Sequence, residues 1–87
     1  MQIILSQKAE DDLAFLRKSG NITALRKINK LIQSIEFNPF EGVGKPEPLR
    51  FDLAGKWSRR ISSKDGLVYE MQEQKMIIHS FLGHYEK

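Results

Sequence analysis

The order of three signals along the chain predicts an α+β domain: a short apolar run at the N-terminus, two amphipathic helical stretches, then a series of short strands divided by turn residues. The expected architecture is an N-terminal strand, a helical hairpin and an antiparallel sheet of about four further strands. With 87 residues, one domain spanning 1–87 is the only sensible count. An apolar share of 40% is that of a globular chain rather than a disordered one.

Ile3-Ile4-Leu5 reads as a short buried strand, and Ser6 as the N-cap of the helix that follows. From Gln7 to Arg17, Ala9, Leu13 and Leu16 recur at helical spacing. Glu10, Asp11 and Asp12 come early and Arg17 and Lys18 late, a polarity that suits the helix dipole. Gly20 ends that helix. A second helix is expected from about Ile22 to about Phe37, where Leu25, Ile28, Ile32 and Ile35 form an apolar stripe that Leu31 widens. Asn21 or Thr23 can cap it. Asn38-Pro39 stops it, since a residue before proline is disfavoured in helix.

All three prolines and two glycines fall between Pro39 and Pro48, which marks a structured loop. Strands are expected at about Leu49–Leu53, Trp57–Ser62, Leu67–Gln72 and Met76–Leu82. Lys64-Asp65-Gly66 is the hairpin signal between the second and third of these, with Gly66 supplying a positive φ. Glu73-Gln74 is a second, weaker turn. There are no repeats, low-complexity tracts or linkers.

Composition removes several function classes. Without cysteine there is no disulfide scaffold, thiolate zinc site or cysteine nucleophile, which fits a reducing cytoplasm. No apolar run approaches a membrane span, and the N-terminal Met1–Ser6 stretch is too short and lacks the basic leader of a signal peptide. The net charge is +3 and the pI about 9.3. The cations are concentrated: Lys45, Arg50, Lys56, Arg59, Arg60 and Lys64 face only Glu47 and Asp52 in that interval. An anionic ligand is expected there.

Glu47 lies between Pro46 and Pro48, so its backbone is restricted on both sides and its carboxylate is held at low entropic cost. That suits a general base, although a loop glutamate can equally salt-bridge Lys45 or Arg50. His84, near the chain end, titrates near neutrality and so can donate a proton to a leaving group; otherwise it is simply solvated. His79 falls inside the last strand and reads as structural. Strand parity separates the arginine pair: Trp57, Arg59 and Ile61 share the core face, while Ser58, Arg60 and Ser62 share the other. Arg60 therefore faces open space, whereas Arg59 needs a partner or must extend its head out of the apolar layer. No carboxylate or histidine cluster has metal-site spacing.

Three segments carry a family resemblance: Gly42-Val43-Gly44-Lys45-Pro46-Glu47-Pro48-Leu49-Arg50, Gly55-Lys56-Trp57-Ser58-Arg59-Arg60-Ile61 and Gly83-His84-Tyr85. Together they resemble the YoeB branch of the RelE family of bacterial toxins, which cut messenger RNA on the ribosome. The resemblance runs from Ile3 to Tyr85 and is weakest in the first helix. It implies a RelE-like fold, with Glu47 as general base, His84 as general acid and Tyr85 near the substrate; Arg60 is the cation expected to stabilise charge on the phosphorane. Read from the residues themselves, Arg60 and Arg50 are the expected phosphate contacts with Lys45 behind them, and Arg59 is a further candidate for RNA binding. The resemblance also implies action without metal or cofactor, the ribosomal decoding site and messenger RNA as partners, a cognate antitoxin, a possible homodimer and a cytoplasmic location.

One position departs. The family begins the strand after the hairpin with Arg-Leu-Val-Tyr, its arginine assisting the transition state, and here the stretch is Gly66-Leu67-Val68-Tyr69. Loss of one preorganised cation reduces rate by about 10²–10³, so either Arg60 takes its place, or the chain is an attenuated toxin, or it is a form altered so that a host tolerates it; a non-catalytic binding protein on the same fold also stays in view. The gyrase-inhibiting branch of the superfamily is a further alternative, against which the Lys45–Leu49 and Trp57–Arg60 segments argue.

Overall fold

The computed structural model describes residues 1–83. Its elements are β1 (Gln2–Leu5), α1 (Gln7–Lys18), α2 (Ile22–Phe37), β2 (Glu47–Pro48), a single 3-10 turn (Phe51–Leu53), β3 (Trp57–Arg60), β4 (Gly66–Gln72) and β5 (Lys75–Ser80). The strands form one sheet in the order β1-β5-β4-β3-β2. The four later strands are mutually antiparallel, as expected. β1 joins them as a parallel edge strand, with Ile3 opposite Met76 and Leu5 opposite Ile78. The helical hairpin covers one face, burying Ala9, Leu16, Ile28, Leu31 and Ile35 against Leu67, Tyr69, Met76, Ile78 and Phe81. Among the described residues no helix is long and apolar enough to cross a membrane.

Both helices start where their caps dictate. The Ser6 hydroxyl accepts from the Ala9 amide at 3.1 Å and donates to the His79 carbonyl at 2.8 Å, while the Ser6 amide donates to Ile78. One residue thus caps α1 and ties it to β5. Asn21 caps α2 through the Ala24 amide, and the helix ends at Asn38, whose backbone is extended before Pro39. Asp12 fastens the end of β5 to α1: it lies on the buried stripe and accepts from Lys8 Nζ at 2.7 Å, Phe81 N at 3.0 Å and Leu82 N at 3.1 Å. Burial by itself would raise its pKa, but the Lys8 ammonium and the two amides together hold it below the ordinary carboxylate value.

Three expectations about the fold are corrected. The first strand is not buried: it lies at the edge of the sheet, with Ile3 and Ile4 exposed and Leu5 half-buried. Leu49–Leu53 is not a strand: pairing is confined to Glu47 and Pro48, and Phe51 takes a left-handed φ of 58° that turns the chain into the 3-10 turn. Phe51 faces solvent, so no burial rewards an extended conformation there. Gly66 does not make the β3–β4 turn. It is the first residue of β4, outside the positive-φ glycines, and pairs with Arg60. Asp65 and Ser62 build the turn instead: the Asp65 carbonyl accepts from the amides of Ile61 and Ser62, and Ser62 Oγ accepts from those of Lys64 and Asp65. The weaker turn at Glu73-Gln74 is present, with Glu73 at a φ of 55°.

Candidate active site

The sheet face turned away from the helices gathers the charged residues. Glu47 stands opposite Ser58 in the β2–β3 ladder, and Arg60 lies two residues beyond Ser58 on the same face. Such a diagonal spans roughly 7–8 Å between Cα atoms, which is the scale of one phosphodiester and its flanking ribose. Beside Arg60 the loop before β2 continues the edge of the sheet: the Gly44 carbonyl accepts from the Arg60 amide at 2.7 Å. That close approach requires glycine, because a Cβ at Gly44 would lie 2.6 Å from Leu31 Cδ2, and its φ is 86°. Lys45 follows with a φ of 51°, exposed above the groove.

The groove between this loop and the β3–β4 turn has a volume of about 430 Å³ and is lined by Lys27, Lys45, Arg60, Ser62 and Ser63, with Gly44 and Ile61 at its base. Three cations from three separate elements meet there and no acidic side chain lines it, an arrangement suited to phosphate oxygens. Lys27 escaped the sequence-based list. It belongs to α2, far from the basic interval in sequence, and its only signal was the Arg26, Lys27, Lys30 cluster opposite the apolar stripe. Arg50, also exposed, follows β2 and does not line the groove.

Arg59 is not an RNA contact. It is fully buried, and all five of its N–H donors are engaged: Nε with the Tyr69 hydroxyl at 3.1 Å, Nη1 with Ser34 Oγ at 2.7 Å and Val43 O at 3.1 Å, and Nη2 with Asn38 O at 2.6 Å and Glu41 O at 3.0 Å. The Tyr69 hydroxyl donates in turn to Pro39 O at 2.6 Å. Burial pushes the Tyr69 pKa up, against the partial opposition of Arg59. The parity argument put this side chain on the core face, and the partner it needed is the backbone of residues 38–43. Arg59 and Tyr69 thereby hold the loop that delivers Lys45 and Glu47. Trp57 adds a contact from the same strand, its ring centroid 4.9 Å from that of Phe40.

His79 pairs with Glu70 at 2.7 Å on the open face, where β5 carries a bulge, and this hydrogen bond is the main reason that the Glu70 pKa is lowered. His84 and Tyr85 lie outside the described residues. The residue before them is fixed, however: Gly83 donates its amide to Asp65 Oδ1 at 2.9 Å and accepts at its carbonyl from the Gly66 amide at 2.9 Å. Among the described residues no three His, Cys, Asp or Glu side chains gather as a metal site.

A helical hairpin packed on one face of a sheet of this order is a RelE-like fold. Comparison with known proteins narrows the class. The family model of the YoeB-like toxin of bacterial type II toxin–antitoxin systems matches residues 5–85. Toxin YoeB of Synechocystis sp. is 48% identical over 87 residues, the full length of both chains. The solved YoeB/ParE toxin from Agrobacterium tumefaciens superposes with a TM-score of 0.91 at 36% identity, covering 98% of this chain and all of that one. The toxin of Staphylococcus aureus, solved as a YoeB-YefM complex, superposes at 0.89 with 37% identity over 98% of each chain; the same organism's YoeB dimer gives 0.90 at 36% identity, again over 98% of each. The chain belongs to the YoeB-like toxin family of bacterial type II toxin–antitoxin systems.

Proposed function

We propose that this toxin is a ribosome-dependent messenger RNA endoribonuclease that cleaves by internal attack of a ribose 2′-OH and needs neither metal nor cofactor. The observation that carries the reading is the common open face of Glu47 and Arg60 beside an acid-free cationic groove. Glu47 accepts the 2′-OH proton and the freed oxygen attacks the adjacent phosphorus in line. Arg60 and Lys45 meet the charge that develops on the phosphoryl oxygens. His84 gives a proton to the departing 5′-oxygen, with Tyr85 beside the substrate. The products are a 2′,3′-cyclic phosphate and a 5′-OH end, and water that then opens the cyclic ester gives a 3′-phosphate. DNA lacks the nucleophile and is not cut. The tether of Gly83 to Asp65 and Gly66, next to Arg60, supports the role of His84, the next residue in the chain.

The groove is small and reads no bases, so the decoding site of the ribosome presents the message and the basic face grips RNA phosphates, with the steep salt dependence of such contacts. That reaction belongs to the cytoplasm. A cognate antitoxin silences the toxin, and a homodimer is a further assembly; the solved S. aureus YoeB-YefM complex and YoeB dimer support both. Gly66 favours one second reading, a member with weakened cleavage that still binds ribosomes. Primer extension on programmed ribosomes separates the two. Strong cleavage by the wild type, lost in Glu47→Gln and in His84→Ala, upholds the enzyme; intact message with toxin still bound to ribosomes upholds the weak binder. Wild-type cleavage by both variants ends the assignment of roles.

A further inference from the structure

The backbone just before His84 is held by carboxylates from two separate elements. Asp12 on α1 accepts from the amides of Phe81 and Leu82, and Lys8, one turn earlier, donates to the Leu82 carbonyl at 3.1 Å. Asp65, in the β3–β4 turn, extends the series by one residue. Its Oδ1 accepts from the Gly83 amide at 2.9 Å, while the Gly66 amide donates to the Gly83 carbonyl at 2.9 Å. Both main-chain groups of Gly83 are therefore pinned. Its φ of 121° lies where glycine alone is free of strain, so the chain bends there as no other residue would allow. Asp65 is itself fixed, because its carbonyl accepts from Ile61 and Ser62 and its amide donates to Ser62 Oγ. Those turn bonds use no carboxylate oxygen, so Oδ1 is left to serve Gly83. The neighbouring Gly66 stands opposite Arg60.

We infer that Asp65 is a positioning residue for the leaving-group side of the reaction: its carboxylate fixes the bend at Gly83 and so sets where His84 delivers its proton. The inference rests on the proposed role of His84. Asp65 acts through Gly83 rather than on the RNA. A general acid must come within hydrogen-bond reach of the atom it protonates, and a displacement of about 1 Å can cost about 10²-fold in rate. Removing the Asp65 acceptor releases the bend one residue away from that acid.

The experiment compares wild type, Asp65→Ala, Asp65→Asn and His84→Ala on programmed ribosomes, in single turnover at saturating toxin. Two messages are used: an ordinary one, and one in which sulfur replaces the bridging 5′-oxygen at the linkage that primer extension shows to be cut. In both, the 2′-oxygen bonds to phosphorus as the bond to the 5′-atom breaks. The departing oxygen takes a proton from the acid, whereas sulfur leaves as a thiolate and needs none. Asp65→Ala is expected to cut the ordinary message about 10²-fold more slowly and the sulfur message at the wild-type rate, the pattern also expected of His84→Ala. Asp65→Asn keeps an oxygen acceptor for the Gly83 amide and should retain most of the rate. Gly83→Ala strains the same bend with Asp65 in place; it should give the Asp65→Ala pattern and serves where that variant does not fold. A loss of equal size on both messages overturns the inference, as does no loss in Asp65→Ala or an Asp65→Asn that is just as slow. Relief by sulfur in His84→Ala but not in Asp65→Ala removes the inference alone. A His84→Ala loss that sulfur does not relieve removes the role of His84 and the inference with it, and a wild type that leaves the ordinary message intact removes both.

Discussion

Arg60 on β3 stands directly opposite Gly66 on β4, and neither amide bonds across the ladder: that of Arg60 donates to Gly44 and that of Gly66 to Gly83. The pair is thus of the close, non-hydrogen-bonded kind in which side chains share one face. A Cβ at Gly66 would meet the Arg59 carbonyl at 3.6 Å and Ser58 Cβ at 3.9 Å, ordinary contacts, and its φ lies outside the left-handed region. The glycine is not demanded by the backbone.

Gly66→Arg should therefore fold and set a second guanidinium beside Arg60. If Gly66 attenuates the toxin, single-turnover cleavage on programmed ribosomes should rise by about 10²–10³. The backbone should also gain about 0.4–1 kcal/mol from the loss of glycine's freedom in the unfolded chain. An unchanged rate in a stably folded variant would show that Arg60 alone already supplies the cation.

Arg59 predicts the opposite coupling, in which stability and activity fall together. Arg59→Lys keeps the charge but cannot span Tyr69, Ser34 and three loop carbonyls, so buried acceptors lose their donors. The expected loss is about 3 kcal/mol or more, which for a domain of this size lowers the melting temperature by more than about 10 °C. Cleavage should drop further than the unfolded fraction accounts for, because the loop before Glu47 is released. Gly42→Ala tests the same device without touching the arginine. Its φ is 130°, and the new Cβ would collide with Ser34 Oγ, displacing a partner of Arg59. Wild-type melting in either variant would remove the loop-holding role.

How much of this was legible depends on the range of the interaction. Both helices were readable to within a residue or so, since Ser6, Asn21, Gly20 and Asn38-Pro39 are local signals and the apolar spacing is regular. The parity of Arg59 and Arg60 was readable because alternation is a property of one strand. The three main-chain acceptors around Arg59 were not, because they are carbonyls 16 to 21 residues away in a loop with no pattern of its own. Leu49–Leu53 misled because its leucines and Phe51 imitate an alternating strand, while the backbone at Phe51 turns left-handed. Lys27 joined the site only once α2 docked beside Gly44. Asp12 carried a signal that went unused: a carboxylate in register with Ala9 and Leu16 on the apolar stripe.

That carboxylate predicts acid sensitivity. Asp12 and Glu70 both have folded-state pKa values below their ordinary 3.8 and 4.5. A depressed pKa contributes stability that is present above the ordinary value and is lost as pH falls toward the folded one. Chemical denaturation should show a plateau at neutral pH and a decline beginning below about 4.5. Asp12→Asn, which cannot accept as an anion from Lys8, Phe81 and Leu82, should lose about 1.5–3 kcal/mol at pH 7 and decline less steeply in acid. A pH profile identical to wild type would refute the role of Asp12.

Lys45 separates stability from function most sharply. Its φ of 51° is left-handed, a conformation that costs a non-glycine residue roughly 1–2 kcal/mol, and the side chain is exposed, with no packing to offset it. A fold selected for stability alone would have glycine or asparagine here. Lys45→Gly should accordingly be more stable than the parent by up to about 1 kcal/mol, net of the greater entropy glycine loses on folding. It should nonetheless bind RNA more weakly, with the salt slope reduced by about 0.7 for one lost single-strand contact. Thermal melting and ribosome binding on the same preparation test both halves. A variant that is stabilised and binds RNA as tightly as wild type would take Lys45 out of the groove's function and leave its strained backbone without a purpose.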